Sequence, residues 1–145
     1  MASCLYTHEM PYRADQLYDL VADVANYPQF LPGCLNAKIL SQSETELVAT
    51  LTVGHGPFQE AYTSRVHLTP KTRIDVAYVD GPFRQLTNYW VFQQLSETSS
   101  HVEFFIEFQF QNKLFQKASQ MAFESLFGKV LEAFEGRAEA LYGGT

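Results

Sequence analysis

The chain has 145 residues, 46% hydrophobic and 18% charged, with a formal net charge of −6. That balance suits one folded domain, residues 1–145, with a real core, and it excludes a disordered chain. The acidic excess disfavours bulk binding to phosphate backbones, DNA included, and weakens purely electrostatic docking on anionic lipid.

Aromatic residues reach 14%, with twelve Phe and eight Tyr, a richness that fits a wide apolar interior or a cavity. The two cysteines, Cys4 and Cys34, sit in no CxxC or Cys/His spacing, so no structural zinc site is expected and both read as free buried thiols in a reducing compartment. No apolar run reaches the length of a membrane span, and the N-terminus carries neither a signal-peptide nor a transit-peptide pattern. The expected location is cytoplasmic, at most peripheral to the inner membrane.

Residues 3–9 read as a first strand. Leu17, Leu20, Val21 and Val24 then recur at three- and four-residue steps, which predicts an amphipathic helix from about Ala14 to Ala25 bounded by Pro28. The stretch NYPQFLPGC, Asn26 to Cys34, follows. Its two prolines and glycine make a stiff bend around Phe30 and Leu31, and a bend open to water has little use for such groups. It reads either as a roof, with Tyr27, Phe30 and Leu31 closing the mouth of a cavity or touching lipid, or as plain core packed on a later helix.

The middle of the chain changes period. Segments around 35–41, 45–53, 58–69, 72–79, 86–95 and 100–111 are β-branched or aromatic, separated by SQSE, GHGP, TPKT, DGPF and SETSS. Their short spacing predicts an antiparallel meander. Glu60 and Tyr62 share one strand face, with Arg65 on the other. In DGPFRQL, Gly81 and Pro82 force a reversal, read as a strand connection or a loop at the cavity rim. Trp90 and Phe92 share parity with Leu86 and Asn88 and are expected to face inward as a flat aromatic wall. Val102, Phe104, Ile106, Phe108 and Phe110 line one face of HVEFFIEFQF, the signature of a strand with one side on a core.

From Lys113 the period is helical again. Phe123, Phe127, Val130, Leu131, Phe134, Ala138 and Leu141 form one stripe on a helix of about 28 residues, roughly 42 Å long. The expected fold is α+β: a curved antiparallel sheet wrapped around a long C-terminal helix, with a hollow between them.

The histidines are scattered, and no HExxH, GxSxG, P-loop or dinucleotide spacing is present. A buried Glu60 would serve either as a general base or simply to bond Tyr62 or the backbone. No catalytic residue and no metal ligand is assigned.

The order of elements, with LVADVANYPQFLPGC, AYTSRVHL and DGPFRQLTNYWVF at their places, resembles the coenzyme-Q-binding START-domain proteins of the helix-grip (Bet v1-like) superfamily. Bacterial members are often labelled polyketide cyclase or dehydrase, and one branch is described as a ribosome-association toxin. The resemblance covers nearly the whole chain. One departure stands out, because the family usually carries a tryptophan after FLP and this chain has Gly33, which lightens the roof.

The resemblance implies a non-catalytic carrier or chaperone for a polyprenyl quinone such as ubiquinone, or another lipid, supporting respiratory electron transport. The implied ligand residues are Tyr27, Phe30, Leu31, Tyr62, Trp90, Phe92, Phe108, Phe123 and Phe127. No cofactor is expected beyond a bound ubiquinone as ligand. Transient membrane-surface contact is expected through the Pro28–Pro32 bend. The alternatives it implies are action on the large ribosomal subunit and polyketide cyclisation.

Overall fold

The computed structural model describes residues 2–55 and 58–143, with the side chains of 2, 55, 58 and 115–127 outside that description. The elements in chain order are β1 (Ala2–Met10), α1 (Ala14–Ala22), a 3-10 helix (Val24–Gln29), β2 (Cys34–Gln42), β3 (Glu46–His55), β4 (Phe58–Thr69), β5 (Arg73–Asp80), β6 (Phe83–Gln94), β7 (Ser100–Phe110) and α2 (Lys113–Tyr142). All seven strands form one antiparallel sheet in the order β1-β7-β6-β5-β4-β3-β2.

Strands β2 to β7 pair with their sequence neighbours, as short turns between alternating segments require. β1 pairs instead with β7, setting Tyr6 opposite Phe104. The chain must therefore cross from one sheet edge to the other between β1 and β2, and α1 with the 3-10 helix makes that crossing. This is the α+β helix-grip arrangement that the sequence predicts, a curved sheet with a long C-terminal helix against it.

α1 forms because Ala14, Leu17, Tyr18, Leu20 and Val21 fall on one face and bury it. Its first turn is capped from two directions. The Gln16 side chain accepts from the Arg13 N–H at 3.2 Å, and the Gln94 side chain of β6 accepts from the Ala14 N–H at 2.7 Å, so donors that a helix start leaves orphaned are satisfied partly by the sheet. The helix stops at Ala22, short of the expected Ala25. The Asp23 N–H bonds to the Asp19 carbonyl, and the chain tightens into the 3-10 turn with Pro28 inside it.

α2 is anchored by its C-terminal half. Leu131, Phe134 and Ala138 are buried in the core shared with α1 and the sheet. The next residue on that stripe is Tyr142, not the expected Leu141. Leu141 is 49% exposed, whereas the Tyr142 hydroxyl donates to the Gln16 carbonyl of α1 at 3.1 Å. At 3.6 residues per turn 141 and 142 lie to either side of the line through Leu131 and Ala138, and α1 meets the last turn on the Tyr142 side.

Phe134 is 5% exposed and touches the rings of Tyr27, Phe30 and Trp90. Phe134→Ala is expected to lower the unfolding free energy by about 3–5 kcal/mol in urea titrations. Leu141→Ala, from the same helix, should stay within about 0.5 kcal/mol of the parent.

Candidate functional site

Strand alternation turns one set of side chains from each strand toward the helices. Between them lies a cavity of about 180 Å³. Its floor is Ala49, Leu51 and Val53 of β3, Tyr62, Ser64 and Val66 of β4, Ile74 and Val76 of β5, Leu86, Asn88 and Trp90 of β6, and Phe104, Ile106 and Phe108 of β7. Val21, Val24 and Tyr27 close it from the α1 side, Leu31 to Cys34 from the bend, and Val130 with Phe134 from α2. The hollow is only partly enclosed, and Pro32 of the proline-bracketed bend, both a lining residue and exposed, stands at its edge.

Two aromatic clusters bracket this space. In the first, Phe134 meets Trp90 at 5.0 Å and Tyr27 at 5.5 Å between ring centroids, and Trp90 meets Phe104 at 4.6 Å. In the second, Phe83 meets Tyr62 at 5.4 Å, Tyr78 at 5.6 Å and Phe108 at 5.7 Å, and stacks on Phe110 at 4.8 Å. Most of these contacts are edge-to-face, the arrangement that the ring quadrupole favours. The residues between the clusters are short: Ala49 lies opposite Ser64 across the β3–β4 ladder, with Val66 and Val76 beside them. Wide rings at the ends and small side chains in the middle leave the hollow.

The turn after β5 is shaped for close approach. Gly81 has φ 148°, and a Cβ there would lie 2.6 Å from Tyr62 Cβ. The Phe83 N–H donates to the Tyr78 hydroxyl at 3.0 Å. Gly33 has φ 84°, a left-handed backbone that glycine takes freely and tryptophan resists. Its carbonyl accepts from the Gly54 N–H at 2.9 Å. The glycine after FLP therefore goes with a bend of its own geometry, tied to β3.

Among the described residues, no charged side chain lines the cavity. Burial, with the Cys34 thiol nearby, pushes the Tyr62 phenol up to about 12. Burial, with Tyr62, Cys34 and Asp23 nearby, pushes the Tyr27 phenol up as well, and its hydroxyl donates to the Val21 carbonyl. Burial likewise raises the Cys34 thiol, whose S–H lies 3.8 Å from the Asn36 carbonyl. Asn88 Nδ2 donates to the Phe105 carbonyl at 2.8 Å. The site is thus neutral at ordinary pH, with a few oriented dipoles in an apolar wall.

Of the residues that the sequence reading assigns, Tyr27, Leu31, Tyr62, Trp90 and Phe108 line the cavity. Phe30 and Phe92 stand outside its lining. Phe30 turns onto Phe134, with the Arg137 guanidinium 5.3 Å over its ring, and the bend shows Gln29 and Pro32 to solvent instead. Phe92 lies two residues past Trp90, where Tyr18 of α1 covers the sheet at 5.9 Å. The side chains of Phe123 and Phe127 lie outside the described residues. Glu60 is exposed. Both cysteines are free, Cys34 buried and Cys4 only partly so.

Phe83 escaped the sequence reading because a register shift between Phe83 and Gln85 reverses the strand's alternation, turning an odd-numbered ring to the same face as Leu86 and Trp90. Ser64 did carry a signal. It shares parity with Tyr62 and Val66 in AYTSRVHL.

Two outcomes follow. Because its folded value is raised, Tyr62 contributes stability that is present below its ordinary value near 10 and lost as pH rises through about 12. Alkaline titration of phenol absorbance should therefore show Tyr27 and Tyr62 ionising only as the protein unfolds, and Tyr62→Phe should reduce that late class by one. Gly81→Ala should cost about 1–3 kcal/mol in chemical denaturation, from strain and the clash with Tyr62.

Comparison with known proteins agrees with this architecture. Residues 10–135 match the family described as polyketide cyclase / dehydrase and lipid transport. The chain is 38% identical over 133 residues to the persistence and stress-resistance toxin PasT of Escherichia coli, covering 92% of this chain and 84% of that one. It is 39% identical over 132 residues to the ribosome association toxin RatA of Vibrio cholerae, covering 91% and 92%. It is 31% identical over 143 residues to the mitochondrial coenzyme Q-binding protein COQ10 of Dictyostelium discoideum, covering 94% and 69%. Among solved structures, an 18 kDa protein of Caulobacter crescentus superposes with a TM-score of 0.78 at 31% identity, covering 99% of this chain and 100% of that one. A START superfamily protein of Mycobacterium smegmatis gives 0.83 at 17% identity, covering 97% and 99%, a likeness of fold. The sheet, the clasping helix and the sequence match together place this chain in the polyketide cyclase / dehydrase and lipid-transport family.

Proposed function

We propose that the protein binds a polyprenyl quinone such as ubiquinone, or a similar neutral lipid, without transforming it, as a carrier or chaperone that serves respiratory electron transport. The observation behind this reading is the open, uncharged, aromatic-walled cavity of about 180 Å³. The similarity to a coenzyme Q-binding protein supports it. An apolar cavity of about 150 Å³ holds one benzene molecule, so this one suits a substituted ring and not a polyprenyl tail. The head group enters, and the tail leaves past Pro32 toward a membrane. Among the described residues no helix is long and apolar enough to cross a bilayer, so membrane contact in this scheme is transient and peripheral. Burying about 300 Å² of apolar ligand surface contributes about 7 kcal/mol before association costs. Micromolar affinity, about 8 kcal/mol net, therefore calls for about 500 Å² of apolar surface buried on ligand and wall together, contributing about 12 kcal/mol against association costs of about 4 kcal/mol.

The neutrality of the lining supports a binding role over acid–base catalysis. Polyketide cyclisation would need groups that exchange protons in the cavity; Glu60 is exposed, and Tyr62 is held far above neutral pH. A second reading has its own support, because relatives named ribosome association toxin match at up to 39% identity over most of the chain. In that reading a surface of this domain meets the large ribosomal subunit. The net charge of −6 favours a ribosomal protein over RNA as the contact.

The single tryptophan, Trp90, lines the cavity and so reports on its contents. A short-chain ubiquinone should quench Trp90 fluorescence with micromolar affinity. Ala49→Phe, which fills the floor, should weaken that binding at least tenfold while the protein stays folded. Absence of saturable quenching in the parent protein would refute the quinone reading. Salt-resistant co-sedimentation with large ribosomal subunits, unaffected by Ala49→Phe, would favour the second.

A further inference from the structure

The Ser64 hydroxyl is a buried polar group of the cavity whose bonding is left undone. Ser64 is 5% exposed and lines the cavity, and among the described residues its Oγ is the buried side-chain polar atom without a hydrogen-bond partner. Its neighbours supply none: Ala49 lies opposite on β3, and Tyr78, opposite on β5, is engaged by the Phe83 N–H at the turn. The hydroxyls one residue along each strand show the contrast. Thr63 and Thr50, on the other face of the same ladder, lie 2.8 Å apart and bond each other.

A buried hydroxyl without a partner destabilises the empty protein, and buried polar groups are paired in nearly all native structures. Alanine, valine or threonine would each fill this strand position at lower cost or with better β preference. Three other polar groups of the lining are directed at the protein: Tyr27 at the Val21 carbonyl, Asn88 Nδ2 at the Phe105 carbonyl and Cys34 at the Asn36 carbonyl. The Tyr62 phenol also belongs to the lining, two residues from Ser64 on the same strand face.

We infer that Ser64 is the anchor that reads the ligand's head group, donating its Oγ–H to a carbonyl oxygen on a ring-sized, uncharged, otherwise apolar molecule. The inference rests on the ligand-binding reading above and narrows it. The cavity does not merely accept oily matter. It selects rings that carry an acceptor oxygen at the floor, beside Ala49 and Val66, because an oxygen-free ring leaves the hydroxyl as orphaned as it is in the empty protein. The floor lies at the middle of the sheet, away from Pro32, so the oxygenated ring goes in first and any tail trails outward.

Duroquinone and durene are the same tetramethylated ring with and without carbonyl oxygens, and calorimetric titration of both separates the two levels of the argument. Ser64→Ala should weaken duroquinone binding roughly three- to tenfold, the worth of one hydrogen bond, and leave durene unchanged. Ser64→Thr, which keeps the hydroxyl, should retain most of the duroquinone affinity. Ligand-free Ser64→Ala should melt above the parent protein, since it loses an orphaned group. Equal duroquinone affinity in parent and Ser64→Ala, with durene still bound, would overturn the anchor and leave the ligand cavity standing. A ligand-free Ser64→Ala that melts below the parent would also count against it, because the hydroxyl would then have a partner in the protein. Failure of the parent protein to bind either ring would overturn the anchor together with the quinone reading.

Discussion

The edge-to-face contact between Phe134 of α2 and Trp90 of β6 carries the architecture. Both rings are nearly fully buried, 5.0 Å apart at 68°. Tyr27 and Phe30 of the 3-10 turn complete the joint from the side. Three elements far apart in sequence thus meet at one ring. Aromatic side chains are wide and have few rotamers, so this joint does two things at once. It binds α2 to the sheet, and it holds the helix at a distance that short side chains beneath cannot close.

The cavity follows from that spacing. Interiors normally fill to crystal-like density, and a void forfeits dispersion contacts. Here the Phe134 cluster and the Phe83 cluster stand as two supports, with Ala49, Ser64, Val66 and Val76 between them. Collapse would require rings that are themselves interlocked to move. The outer surface contributes little to this. The ion pairs His8–Glu135, Arg65–Glu46 and Lys71–Asp19 are all about half exposed and of a kind that adds little stability. Charge stays outside and the hollow stays neutral, which suits a ligand that has to leave water without leaving a counter-ion behind.

Helix-grip domains serve several unrelated ends, so the fold by itself does not select among them. What discriminates is the content of the hollow and of the surface. Among the described residues the hollow offers apolar walls, neutral phenols and the buried, unpartnered Ser64 hydroxyl. Such a set orients a ring well and moves protons poorly. Ribosome association, by contrast, would be written on the outer surface, where a cavity has no say, and the two roles are physically independent in one domain.

Much was legible in the amino-acid sequence: seven strands and two principal helices in their order, the antiparallel meander, the inward faces of β6 from Leu86 on and of β7, the stripe on α2 from Val130 to Ala138, and the sharp bend at Asn26–Cys34. Local periodicity and turn chemistry act over a few residues, so one strand's pattern is enough to reveal them. Other features belonged to the tertiary structure alone. Phe92 and Phe30 left the cavity because Tyr18 and Phe134 arrived from other elements to cover them. Phe83 entered it through a register shift set by pairing with β7. Ser64 became an orphan only when Ala49 and Tyr78 were brought alongside it. A side chain's face is decided by its neighbours in sequence, but what it meets there, or fails to meet, is decided by residues that only folding brings near.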